Sequence, residues 1–391
     1  MRRRDLIAAV SASALLPAAP ASMIDAATSK DWLARWERYI LASTRQRFCD
    51  KELGEAVGWK LSPLLSGFHE GYLASRDTKW VGLLVEWTGA WLERGVTEPD
   101  GFLGWPIESP DGPTSDGLFA SSLLGEAMAF RPVVLMAAEI LRTPQLESRW
   151  GGEARRFLDL AARAFEKWDS RGGWREAKGG GVWVLPPFGI DRATNKWNDA
   201  YDQRKTGGFT HPCNKQNEIA LWLLAMFDAT GKIPYRDRAE QWFRVMRARM
   251  KPRGEYFVWN YWEPGGPWDS KPGGGLKHWV GVHPNGGYYS IDASAITAAF
   301  EHKLVFTRED LDRLIATNRD FMWNHDMQAA KFQRIDGGRT DPRWRNSPGL
   351  LWHPLIPYDE TLRKIFIANH KPDSWGGLAS TPWSIRSQTA S

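Results

Sequence analysis

The chain has 391 residues, a formal net charge of +5 and 42% hydrophobic residues, enough to bury a large core in one domain or two. No clustered run of Lys and Arg marks a nucleic-acid surface, and beyond the N-terminus no stretch is apolar enough to span a bilayer. The 23 Trp exceed what packing alone requires, and Trp is the side chain that stacks most favourably on the C–H face of a sugar ring.

Residues 1–21 carry a basic head at Arg2, Arg3 and Arg4, a short alanine-rich apolar middle and small residues at Ala19 and Ala21. This pattern reads as a twin-arginine export signal, so an exported, periplasmic or secreted protein is expected, with a single catalytic domain over 22–391. Removing the signal takes away three Arg and one Asp, leaving a mild cationic excess that favours an anionic polymer without demanding one. Only Cys49 and Cys213 occur, and they are read as unpaired.

Apolar spacing predicts helices over 31–48, 64–72 and 80–92, followed by a Pro/Gly/Asp loop at 99–116. A long helix over 117–141 is almost wholly apolar, with Glu126 and Arg131 the exceptions and Pro132 a kink. An amphipathic helix follows at 153–168, then a Gly- and Trp-rich insertion over 172–208. A buried helix at 212–229 has its amphipathic partner at 236–250, and a second insertion over 251–287 contains a strand-like core at Tyr256 to Trp262. Further helices are expected at 288–304, 311–323, opened by a capping box at Thr307 to Asp310, and 360–369. Helices that are apolar all round alternate with half-wet ones, the pattern of two concentric layers. The expected fold is all-α: an (α/α) toroid of six or seven helical hairpins, with long aromatic-rich loops and minor β.

Polar groups gather where glycine-broken loops meet the buried helices: Ser115 and Asp116; His211, Asn214 and Asn217; and His283, Asn285, Tyr288, Tyr289 and Asp292. There is no Cys/His metal spacing, nucleophile elbow or phosphate-cradling loop, so no metal or cofactor is expected. Tyr, His and Asn suit removal of a weakly acidic carbon proton beside a carboxylate. An amide, Asn214 or Asn217, would hold the carboxylate while Tyr289, His211 or His283 takes the proton. Adjacent Tyr288 and Tyr289 diverge by about 100° on a helix, so one of the pair enters a cavity, and Tyr289 is favoured. Arg131 would serve as a carboxylate clamp, and Tyr288, Trp262, Trp279 and Asn285 as substrate contacts.

The exported helical chain, the cluster from His211 to Asn217, the aromatic segment from Tyr256 to Trp262, and His283 to Tyr289 followed by Val-Phe-Thr-Arg-Glu-Asp together resemble the (α/α)-toroid polysaccharide lyases, closest to polysaccharide lyase family 38. The resemblance covers most of the mature chain. It implies β-elimination on an anionic polysaccharide or oligosaccharide, alginate or glucuronan, with Tyr289 as acid/base and His211 as partner base. By the same resemblance Asn217 or Asn214 is the neutraliser and His283 a helper. His283 stands where related lyases often carry an Arg. The alternatives are a toroid glycoside hydrolase using a carboxylate pair drawn from Asp116, Glu126, Glu263 and Asp292, and a uronate C5-epimerase.

Overall fold

A computed structural model describes residues 24–108, 118–185, 189–191, 193–198, 208–338 and 349–386. The expected signal at 1–21, and Ser115 and Asp116, lie outside the described residues. The eleven α-helices among the described residues are α1 (Ala26–Ser43), α2 (Ser62–Ser75), α3 (Lys79–Glu93), α4 (Leu123–Arg142), α5 (Pro144–Ser170), α6 (Cys213–Thr230), α7 (Ile233–Arg249), α8 (Gly286–Glu301), α9 (Arg308–Ala316), α10 (Glu360–Asn369) and α11 (Gly377–Arg386).

The inner ring runs α2, α4, α6, α8, the 3₁₀ turn His353–Tyr358 and α11, which packs back on α2. Each inner element carries an outer partner: α1, α3, α5, α7, α9 and α10. The chain is therefore an all-α (α/α) toroid of six pairs. The fifth inner element is a 3₁₀ turn because Pro354 and Pro357 remove the amide donors a helix needs there.

Patterning explains the layers. On α5, Leu146, Trp150, Ala154, Phe157, Ala161, Ala164 and Trp168 recur at intervals of three or four and are buried, while its charged residues face outward except Lys167, which is buried. Inner α4 and α6 are buried on nearly every side. Pro144 opens α5 nine residues ahead of the expected start, at a position where the missing N–H costs nothing. Helix α4 begins later than expected, at Leu123, because Ser122 caps it and Leu118–Ala120 pairs as a strand with Ile107–Glu108 and Gly189–Asp191. Lys196–Asn198 completes that four-stranded sheet, and short hairpins form at Trp174–Trp183 and Lys251–Val258.

Among the described residues, fifteen of the 23 tryptophans are buried. The tryptophan load is thus mostly structural. Trp279, Trp197 and Trp375 remain well exposed. Cys49 and Cys213 are free and buried. Among the described residues, no helix is long and apolar enough to cross a membrane, and no group of three His, Cys, Asp or Glu is placed to hold a metal.

Candidate active site

The residues singled out in the sequence separate into two sets. Asn217 turns away from the ring axis: its Nδ2 donates to Asp292 Oδ1 at 2.6 Å, and its Oδ1 accepts from Trp242 Nε1 of outer helix α7 at 2.7 Å. Asp292 Oδ2 accepts from Trp259 Nε1 at 2.8 Å. Three donors meet three acceptors in this network, and the fully buried Asn217 amide is held there, away from any substrate carboxylate. Tyr289 is 2% exposed, its hydroxyl accepts the His283 N–H at 2.8 Å, and its ring packs edge-on to Trp259. Burial holds its phenol well above the usual value, against that single backbone donor, which is the reverse of what a catalytic base needs. Trp262 is fully buried and donates to the Thr210 carbonyl. Asn285 caps α8 through Gly287 N–H, and His283 Nδ1 accepts the Asn285 N–H. Burial, with His278 and Arg334 nearby, pulls His283 down to about 4.

His211 and Asn214 behave differently. They are 2% and 1% exposed, yet neither the ring nitrogens of His211 nor the amide atoms of Asn214 find a partner among the described residues. Neither side chain caps its helix, whose N-cap is Pro212. Leaving such groups dry costs about 1–3 kcal/mol each.

A hollow of about 420 Å³ lies on the ring axis, walled by α2, α4, α8, α11 and the turn at His353. Arg131, expected as a clamp, does line it, together with His69, Glu70, Arg386 and the hydroxyls of Ser290, Ser294, Thr297 and Ser380. Arg131 Nη1 lies 3.7 Å from Glu218 Oε2 of α6, and Arg386 Nη1 lies 3.2 Å from Glu70 Oε2. The two carboxyls are driven in opposite directions. Burial raises Glu218 above the ordinary carboxylate value, outweighing the opposing pull of Arg131. Burial also acts to raise Glu70, but Arg386, His69 and Arg131 outweigh it and hold the group below that value. His353 is pulled down to about 4 by burial and is neutral near pH 7. A larger hollow of about 600 Å³ beside α10 has an apolar wall of Phe332, Leu350, Ile365 and Phe366 and no carboxylate lining it.

Glu70 and Glu218 were absent from the sequence-based pool of acids. The same signal that picked out Arg131, a charge on a helix buried all round, would have found them: such a charge must face a cavity or a partner. Of the acids that were in the pool and are described, Glu126 is locked by Lys167 at 2.6 Å and Trp168 at 2.8 Å, and Glu263 accepts from Asn260. Asp292 is held in the network with Asn217.

No protein-family model and no curated protein matches the chain. Among solved structures it is similar to the α-1,6-mannanase GH76A of Salegentibacter sp. HEL1_6, at 10% identity and TM-score 0.47, covering 92% of this chain and 99% of that one. An inactive variant of the same mannanase in complex with α-1,6-mannotriose gives the same values. It is also similar to a D-mannose isomerase, at 13% identity and TM-score 0.49, covering 93% of this chain and 87% of that one. At these identities nothing about substrate passes from those proteins to this one. These neighbours are a hydrolase and an isomerase, not lyases, which corrects the expected place in polysaccharide lyase family 38 along with β-elimination on alginate or glucuronan. The buried, network-bound amide of Asn217 and the buried hydroxyl of Tyr289 give that correction its physical reason.

Proposed function

We propose that the chain is a glycoside hydrolase that opens a glycosidic bond of a neutral oligosaccharide in the axial cavity. One observation carries the reading: two carboxyls beside a shared Arg131 are pushed apart, one toward the protonated form and the other toward the ionised form. That division of labour is what glycosidic cleavage requires. Glu218 gives its proton to the bridging oxygen as the bond from the anomeric carbon to that oxygen breaks. Glu70 directs a water at the anomeric carbon and takes the water's proton, so the hydroxyl ends on one sugar and the hydrogen on the other. Support for a neutral substrate comes from the four hydroxyl side chains that line the wall, and Arg386 already faces the Glu70 carboxylate.

The test is reducing-end release from a panel of neutral α- and β-linked trisaccharides, followed by chromatography. The expected result is cleavage of at least one of them, lost in Glu218→Gln and Glu70→Gln. Full turnover in Glu218→Gln would refute the assignment.

A second reading rests on His69 and His353, which line the same cavity. Two imidazoles there suit proton transfer between C1 and C2 of an open-chain aldose, giving a ketose without bond cleavage. Incorporation of solvent deuterium at C2 of a monosaccharide, with no new reducing ends, separates the two.

A further inference from the structure

We infer that His211 and Asn214 form a second sugar subsite above the axial cavity, which holds two hydroxyls of the ring next to the one being cleaved. Its outer floor is the aromatic shelf of Tyr261, Tyr288 and Trp279. The inference rests on the hydrolase reading for the identity of the ligand, and on separate observations for the site.

First, position. Asn214 and Glu218 are four residues apart on α6 and share one face of it, and the Glu218 contact with Arg131 fixes that face as the axial one. Asn217, about 100° round the helix from Glu218, faces the outer layer instead. The polar stripe thus runs from the N-terminal mouth of α6 down to the proposed acid.

Second, unmet bonding capacity. Two other inner-helix mouths spend a polar side chain locally: Ser122 caps α4 and Asn285 caps α8. His211 and Asn214 spend theirs on nothing described, although both are buried. Burial and nearby Lys215 pull His211 down to about 3, so the imidazole is neutral, with one donor and one acceptor nitrogen. The amide likewise both donates and accepts. A neighbouring pair of sugar hydroxyls, each donor and acceptor, matches this set. A carboxylate, which only accepts, would leave the acceptor atoms unmet. Lys215, the cation that acts on His211, is already paired with Glu55 at 2.7 Å, and Arg249 beside Cys213 bonds the Glu263 and Pro264 carbonyls.

Third, an approach. Tyr261 lies against the start of α6, where its carbonyl accepts the Cys213 N–H. Its ring stacks on Tyr288 at 5.3 Å and 23° and on Trp279 at 5.8 Å and 21°. Trp279 is 46% exposed, so the stack leads from solvent to the mouth of α6. Flat aromatic faces followed by amphoteric groups are the usual furnishing of a sugar site.

The experiment measures binding of maltotriose, cellotriose and mannotriose, and of glucose and mannose, to the full chain by calorimetry. It compares wild type with His211→Ala, Asn214→Ala and Trp279→Ala, each checked for fold by circular dichroism. At least one trisaccharide should bind, weakened about tenfold or more in each of the first two variants, with monosaccharide affinity unchanged. Trp279→Ala, on the surface, guards against misfolding of the buried variants and should weaken the trisaccharide alone. Equal trisaccharide affinity in folded His211→Ala and Asn214→Ala overturns the proposal, since the two side chains then hold only buried water. So does failure of every trisaccharide to bind. Binding that falls in the variants without any cleavage by wild type leaves the subsite standing and removes the hydrolase reading. Cleavage with unaltered binding in the variants does the reverse.

Discussion

Replacing Asn217 by Ala separates a structural amide from a catalytic one. The change strands Trp242 Nε1, whose acceptor is Asn217 Oδ1, and takes from Asp292 Oδ1 the donor it holds at 2.6 Å. Two buried groups at about 1–3 kcal/mol each give a loss of about 2–6 kcal/mol, a large part of the 5–15 kcal/mol typical of a folded domain. The loss should also depend on pH. Burial pushes Asp292 up to about 7, opposed by the Trp259 and Asn217 donors, whereas the unfolded carboxyl ionises near 3.8. Protonated Asp292 therefore favours the folded state: its contribution is full below pH 3.8 and is lost as pH rises through about 7. The gap of roughly three units is worth about 4 kcal/mol. Without the Asn217 donor the folded value climbs further, so the deficit of the variant should be larger at pH 8 than at pH 5. Urea unfolding followed by tryptophan fluorescence at both pH values reads this directly, and turnover of the fraction still folded should stay within a few-fold of wild type. An unfolding midpoint equal to wild type at pH 8, with turnover abolished, would show that Asn217 touches substrate and that its hydrogen bonds to Asp292 and Trp242 are dispensable.

Arg131→Met should move the whole bell-shaped pH–rate profile upward: Glu218, which sets the alkaline limb, and Glu70, which sets the acid limb, both lose a neighbouring cation. A profile that stays in place while kcat falls would uncouple Arg131 from both acids. Lys167→Met should cost about 3–5 kcal/mol in urea unfolding, because fully buried Lys167 bonds Glu126 at 2.6 Å and Glu126 would lose its cation, whereas Glu98, 3.3 Å from Lys167, keeps Arg171 at 2.9 Å. Gly125→Ala should destabilise α4 although alanine is the better helix former by about 1 kcal/mol, since the added Cβ would stand 2.2 Å from the Gly54 carbonyl oxygen. A raised melting temperature in that variant would contradict the close approach of the two backbones.

Much of the ring was legible in the chain. Alternation between helices apolar all round and helices apolar on one side is a statement about how many faces each must hide, and α4, α5, α6 and α7 follow it. Element ends were less legible. The start of α4 depends on Leu118–Ala120 pairing with strands from elsewhere in the chain, and the 3₁₀ inner element depends on two prolines that read only as loop. Site residues divided in the same way. Arg131 was found because a cation on a buried helix needs an explanation, and His69, Glu70 and Glu218 satisfy the same condition on α2 and α6. The histidine, asparagine and tyrosine groups at the helix mouths were found as a cluster, but the direction of each side chain was beyond the sequence. Asn214 and Asn217 share residue type and helix, and one ends unbonded on the axial face while the other is bonded on both sides, to Asp292 of α8 and to Trp242 of the outer layer.

The order of amino acids alone determined an all-helical double ring with decorated mouths, because burial on one face or on all faces leaves its period in local sequence. Only the tertiary structure decided which polar groups share a hollow. That choice depends on a few tens of degrees of helix rotation and on partners far away in the chain: Trp242 and Asp292 for Asn217, Arg131 for Glu218, and Arg386 for Glu70.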